Sequence, residues 1–273
     1  MSKKIKTLYF SATGTTEEVV TGIAEKIAEN YREAVLINKI DFTLPEARKK
    51  TYAFDKDDLV IAGIPVYAGR VPNVLLAFLN TISGNGATAV AVVLYGNRNY
   101  DDALIEFKDI LESDGFHVVA GGAFVGEHSF SRTLGAGRPD EKDMAAAADF
   151  SARIYEKTMT PGKHPALVVN GNKPYRAYYQ PKDSDGNPVN FLKITPKTGS
   201  DCIDCKRCSQ VCPMGSIDSD NVSQMIGICI KCGACVKKCP AGAKYFDDEI
   251  YIRHKQELEE ALSGTRQEPE YFI

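Results

Sequence analysis

Tryptophan is absent from this 273-residue chain, and cysteine is absent outside one stretch near the C-terminal end. No apolar run approaches the ~18 residues of a membrane-spanning helix, which excludes an integral membrane protein. The N-terminal MSKKIKTLYF has no apolar signal segment, so a reducing compartment, the cytoplasm, is expected. An excess of one charge is missing too. The net charge of −3 is too small to argue for a nucleic-acid partner. With 44% hydrophobic and 25% charged residues, the composition is that of a globular protein large enough for one to three domains.

What the chain does have is eight cysteines in two copies of one spacing, C-x2-C-x2-C-x3-C-P. The first copy is Cys202, Cys205, Cys208, Cys212 and Pro213, and the second is Cys229, Cys232, Cys235, Cys239 and Pro240. Zinc sites of the four-cysteine type separate their C-x2-C pairs by long gaps, and disulfides need an oxidising compartment. Each iron of a cubane cluster takes one thiolate, so three close ligands and a distant fourth close a cage. The spacing resembles the clostridial-type two-cluster ferredoxin over roughly residues 200–246. That resemblance implies two 4Fe-4S clusters with crossed ligation: Cys202, Cys205, Cys208 and Cys239 for one, Cys229, Cys232, Cys235 and Cys212 for the other. Residues 201–246 carry six Lys or Arg against four Asp, whereas free ferredoxins of this type are acidic. The N-terminal 160 residues carry 18 basic against 22 acidic side chains, so the module either docks by charge or wears its cations as a solvated face.

Apolar runs alternate with helical periodicity through those first 160 residues. Strands are expected over 5–10, 34–37, 59–63, 88–95 and 117–124, and helices over 15–31, 72–81, 101–113 and 140–158. Such alternation predicts an α/β fold with an open, doubly wound parallel sheet. Ligands of such sheets lie beyond the carboxyl ends of the strands. The first such turn reads Ser11, Ala12, Thr13, Gly14, Thr15, Thr16, with hydroxyls and free amides at a helix start, an anion cradle. It lacks the lysine of a triphosphate P-loop and the G-x-G-x-x-G of a dinucleotide site. Ser-x-Thr-Gly-x-Thr resembles the phosphate loop of flavodoxins, which implies FMN and a five-stranded sheet of order 2-1-3-4-5. By the same resemblance the ring loops hold Pro65, Val66, Tyr67 and Gly69 after the third strand, and Tyr95, Gly96, Asn97, Arg98 and Tyr100 after the fourth. Tyr67 and Tyr100 are expected to sandwich the ring, Gly96 and Asn97 to address its pyrimidine edge, and Arg70 or Arg98 to supply positive charge. His128 lies in the long loop after strand five, where an imidazole could hydrogen-bond a flavin.

The expected organisation is an FMN domain over 1–160, an ordered connector over 161–198 with a hairpin signal at Asp185, Gly186 and Asn187, and a small α+β dicluster domain over 199–246. A C-terminal helix near 250–263 and a tail exposed to proteolysis complete the 247–273 region. The combination resembles flavodoxin/ferredoxin fusion proteins of anaerobes. It implies electron transfer between the clusters and FMN, with redox proteins as partners. No catalytic acid, base or nucleophile set stands out, so a carrier is expected ahead of a reductase acting on a small molecule under the 126–140 loop.

Overall fold

The computed structural model describes residues 4–160, 162, 165–183 and 186–273. Strand β1 (Lys4–Tyr9) leads into helix α1 (Thr15–Glu29), then β2 (Ile37–Asp41), β3 (Asp58–Pro65), α2 (Asn73–Leu79), β4 (Thr88–Tyr95), α3 (Ala103–Ser113), β5 (His117–Val125) and α4 (Glu141–Met159). The sheet runs β2-β1-β3-β4-β5, all parallel, the flavodoxin-like order. Its central strands are apolar on both faces because helices cover both: Val60, Ala62 and Val93 pack toward α2 and α3, while Ile61, Val90 and Val92 pack toward α1 and α4.

One strand sits away from its expected position. The apolar cluster at 34–37 predicts the second strand too early; the strand is Ile37–Asp41, and Leu36 is 85% exposed. An edge strand with one covered face needs little hydrophobicity, so pairing with β1 places it instead.

The sheet has a sixth strand that a five-stranded reading omits. After β6 (Lys197–Thr198), α5 (Arg207–Gln210), α6 (Ala234–Lys237), β7 (Lys244–Tyr245) and α7 (Glu249–Ala261), the chain returns. It adds β8 (Glu270–Phe272) antiparallel to β5. The C-terminal residues are therefore no loose tail. Tyr271 lies against Phe150 with ring centroids 5.1 Å apart, and its hydroxyl bonds Asp149. Arg138 anchors the returning segment: buried, it forks onto the buried Asp143 carboxylate and donates to Gln267 O at 3.0 Å. Asp143 also belongs to the capping box of α4. One ion pair thus ties together the loop after β5, the start of α4 and the C-terminal strap.

The connector packs on the first domain. Asp102 accepts from the backbone of Asn172 at 2.9 Å and of Arg176 at 2.7 Å. Tyr178 Oη donates to Val71 O at 2.8 Å, and Tyr179 N donates to Ala68 O at 2.9 Å. Of the hairpin signal, Asp185 lies outside the described residues. On either side of it, Lys182 and Pro188 form an antiparallel bridge, and Asp183 N donates to Asn187 O.

Replacing Arg138 by Met should leave Asp143 buried and unpaired, and should cost about 3–5 kcal/mol by urea unfolding. Trypsin should cleave the C-terminal strap of that variant, at Arg266, faster than in the parent protein. An unchanged unfolding midpoint would remove the pair from this role.

Candidate functional site

Two kinds of cavity define the site, one at the carboxyl ends of the strands and two around the cysteines. The first opens where α1 begins. Ser11 accepts the Glu17 N–H on its Oγ at 3.0 Å and hangs its own N–H on Thr43 Oγ1 at 2.7 Å, which fixes the loop. Gly14, the N-cap, has φ 112°, a left-handed conformation that only glycine adopts cheaply, and it offers no side chain to cap the helix. The start of α1 therefore keeps an anion-binding character beside Thr13, Thr15 and Thr16. These threonines line a cavity together with Pro65, Val66, Tyr67, Tyr95 and Gly96. The loop after β5 covers it with Glu127, His128 and Ser129, and Cys232 reaches its wall from the second half of the chain. A helix start whose N-cap glycine has no capping side chain at one end, and an aromatic residue at the other, fit a phosphate-bearing planar cofactor.

Several expected residues lie elsewhere. Tyr100 is buried in the core, its ring 5.7 Å from Tyr95 and its hydroxyl on Glu270, so it cannot sandwich a ring in this cavity. Asn97 is also taken. Its Nδ2 donates to Thr265 O at 2.8 Å, and its Oδ1 accepts from Gln267 N at 3.0 Å. The returning strap claims both side chains, which a reading confined to the first domain could not anticipate. Gly69 packs against Asp101 rather than lining the cavity. Arg70 points away: it grips Glu106 through two bonds of 2.6 and 2.7 Å, under the rings of Tyr175 and Tyr178. Arg98 pairs with Asp101 and sits over Tyr179.

His128 is in the cavity wall. Burial, then the nearby Lys237 ammonium, pushes its pKa down to about 4, so the imidazole is neutral at pH 7. Tyr67 lies beside it, and burial followed by the Cys232 and Cys229 thiols drives its phenol pKa far up.

The cysteines form two cages. Cys212, Cys229, Cys232 and Cys235 line one small cavity, and Cys202, Cys205, Cys208 and Cys239 line another. The two repeats share local geometry. Asp204 and Lys206 in the first copy, like Lys231 and Gly233 in the second, have positive φ and curl each C-x2-C-x2-C loop around its cage. The Ser216 amide donates to Cys212 Sγ at 3.3 Å, and the Ala243 amide donates to Cys239 Sγ at 3.2 Å, the same offset in each copy. All eight thiols are free. Burial pushes the Cys232 pKa up to about 12 and raises those of Cys208, Cys229 and Cys235. At Cys239, burial acts upward but is outweighed by backbone N–H groups led by that of Lys244, and the pKa falls. Sulfurs poised in pairs of cages suit clusters that bind as thiolates and displace protons.

The cages and the first cavity meet at α6. Gly233 approaches so closely that a Cβ there would lie 2.5 Å from Ser129 O. Lys237 reaches across to His128 O and to Glu127, each at 2.7 Å. Arg132 donates to Val236 O at 3.2 Å, and Arg48 to Pro213 O.

The model of the 4Fe-4S dicluster domain family matches residues 201–244. Those residues are a 4Fe-4S dicluster domain. No curated protein matches the sequence. Among solved structures, the chain is similar to a flavodoxin from the domain Archaea, at 17% identity and TM-score 0.39, over 57% of this chain and 99% of that one. It is similar to oxidised Flavodoxin 2 from Bacillus cereus, at 18% identity and TM-score 0.40, over 56% and 99%. It is also similar to an NADH:FMN oxidoreductase in its apo form, at 19% identity and TM-score 0.42, over 59% and 92%. The flavodoxin-like assignment rests on strand order and register. A flavodoxin-like sheet joined to a dicluster domain fits a flavodoxin/ferredoxin fusion with a redox, electron-transfer role. Among the described residues, no helix is long and apolar enough to cross a membrane.

Sequence reasoning placed Glu127 and Ser129 in the long loop after β5, expected to cover the ring, but missed Cys232 as a cavity residue. Nothing in its local pattern marks that role, because the docking of the two halves brings it there.

Because His128 is neutral in the folded protein and free to charge when unfolded, acidification should favour unfolding. Its contribution is complete above the ordinary histidine pKa of about 6.5, and is lost as pH falls toward 4, on the order of 2 kcal/mol. Replacing His128 by Asn should flatten that part of the stability-versus-pH curve; an unaltered curve would show that another group is responsible.

Proposed function

We propose that the protein carries electrons between two 4Fe-4S clusters and FMN, linking low-potential one-electron donors to a flavin-accepting partner. In this reading Cys202, Cys205, Cys208 and Cys239 ligate one cluster, and Cys229, Cys232, Cys235 and Cys212 the other. The crossed fourth ligand is supported by the membership of the two cages. The FMN phosphate is taken by Thr13, Gly14, Thr15 and Thr16 at the start of α1, and the ring by Val66, Tyr67, Gly96 and His128. When bound, FMN accepts one or two electrons whereas each cluster passes one, so the pair can merge or split electron pairs.

The observation that carries the reading is the position of Cys232. It lines both the cavity above the sheet and the cage shared with Cys212. A ligand common to two walls makes the second cluster the neighbour of FMN and the first cluster the outer relay. Cys205, exposed in the outer cage, gives that relay a face toward a partner. Redox proteins are the partners this arrangement suits.

A second reading is a reductase that uses the same FMN to reduce a small molecule. One observation favours it: a further chamber, of about 230 Å3, shares Val66, Tyr67, His128 and Ser129 with the flavin cavity.

Anaerobically isolated protein should hold about eight irons, eight sulfides and one FMN per chain. Four irons, or zinc instead, would defeat the two-cluster assignment. Cys212→Ser should damage the inner cluster and slow reduction of FMN by a one-electron donor, while the outer cluster keeps its signal in electron paramagnetic resonance. Loss of the outer signal with retention of the inner one would mean that the ligation is not crossed.

A further inference from the structure

Two additions to the sheet-plus-cluster plan, the connector and α7, meet over the flavin cavity and roof the neighbouring chamber. Tyr179 and Phe191 come from the connector and His254 from α7, while Phe130 comes from the loop after β5. Their rings are mutually arranged. Tyr179 stacks on His254 at 5.7 Å and 23°, Phe191 meets His254 edge-on at 5.7 Å and 85°, and Phe130 stacks with Phe191 at 6.4 Å and 19°. Such a set of faces suits a planar aromatic guest.

Charge narrows the guest further. Arg98 and Lys231 line the chamber, and among the described residues no aspartate or glutamate does. A cationic guest would find like charge and no carboxylate, which argues against the use of these rings as an ammonium cage. Asp101 takes one of the five N–H donors that an arginine carries, leaving Arg98 able to donate to a second carboxylate. A multiply charged phosphate would want a nest of amides, and the chamber offers ring faces instead. His128 and His254 are both held toward the neutral form by burial.

We propose that this chamber, walled off from the flavin cavity by Val66, Tyr67, His128 and Ser129, binds a small planar aromatic carboxylate beside the flavin. The placement rests on the FMN reading above, whereas the chemistry of the guest rests on the chamber itself. The connector and α7 then have a binding role: they complete a compartment that neither the flavodoxin-like sheet nor the dicluster module could form alone.

The test is equilibrium dialysis of the FMN-loaded, cluster-loaded protein against benzoate, with benzamide as the neutral isostere, alongside the visible flavin spectrum. Benzoate should bind saturably and perturb the flavin bands, and benzamide should bind roughly tenfold more weakly, the loss of one charge-assisted contact. His254→Ala and Arg98→Gln should each weaken benzoate about tenfold at unchanged FMN content, and Arg98→Lys should restore part of the loss. If Arg98→Gln fails to fold, the Lys and His254 variants still decide the matter. Absence of saturable benzoate binding, equal binding of benzamide, or unchanged affinity in the variants would overturn the proposal. So would release of FMN by benzoate, or loss of FMN in the His254 variant, since the chamber would then be part of the flavin site. Protein that binds benzoate in dialysis but contains no FMN would remove the flavin reading and the placement beside it, while leaving the preference for an aromatic carboxylate standing.

Discussion

The close approach of Gly233 to Ser129 O is the contact on which the rest of the arrangement depends. Electron transfer falls off steeply with separation, so a cluster and a flavin held on separate modules are useful to each other only if the modules touch. A side chain at 233 would push the cage away from the loop that covers the flavin cavity. Glycine also supplies the positive φ that curls the second cysteine loop, so one residue serves both cage geometry and docking. Around it, Lys237 caps the contact by holding His128 O and Glu127, half-buried where an ion pair keeps more of its strength than on an open surface.

Contacts distant from the site keep that approach in register. The connector lies on the first domain through Asp102, Tyr178 and Tyr179, and the C-terminal strap crosses back to pair with β5. Because the strap also satisfies Asn97 and Tyr100, residues of the loop after β4 that could have faced a flavin are spent on structure. Of the residues expected around a flavin ring, Pro65, Val66, Tyr67, Tyr95, Gly96 and His128 still line the cavity. In the proposed reading the expected Tyr67–Tyr100 pair is replaced there by Tyr67 beside a neutral imidazole.

How far the sequence could be read depended on whether a feature is local. The cysteine spacing and the loop from Ser11 to Thr16 are local. Their pattern is written in consecutive residues, and the fold gathers the cysteines around two cages and the threonines at one cavity wall. Strands β3, β4 and β5 were legible because both of their faces are buried and their sequences are continuously apolar. Edge strands were not. β2 is half polar and β8 is three residues long, and each exists because a neighbouring strand offers unpaired backbone. The same limit applies to Tyr100 and Cys232, whose surroundings come from segments more than a hundred residues away.

The charge balance follows the same logic. The basic character of residues 201–246 admits two readings from sequence, docking by charge or a solvated face. The structure divides the cations among three tasks. Lys237 makes the docking contact, whereas Lys206 pairs with Asp204 on an exposed surface where such a pair contributes little. Lys231 and Lys244 are 7% and 3% exposed, with ammonium groups on Cys229 O and Val222 O, inside the module and beside the cages. A buried ammonium is costly unless a negative charge accompanies it. Two cages of thiolate would supply that charge, so the lysines and the cysteines account for one another. A free ferredoxin leaves its surface acidic for its partners. This module, with one face already committed to a neighbouring domain, keeps cations inside to balance its cages and one outside to hold the neighbour.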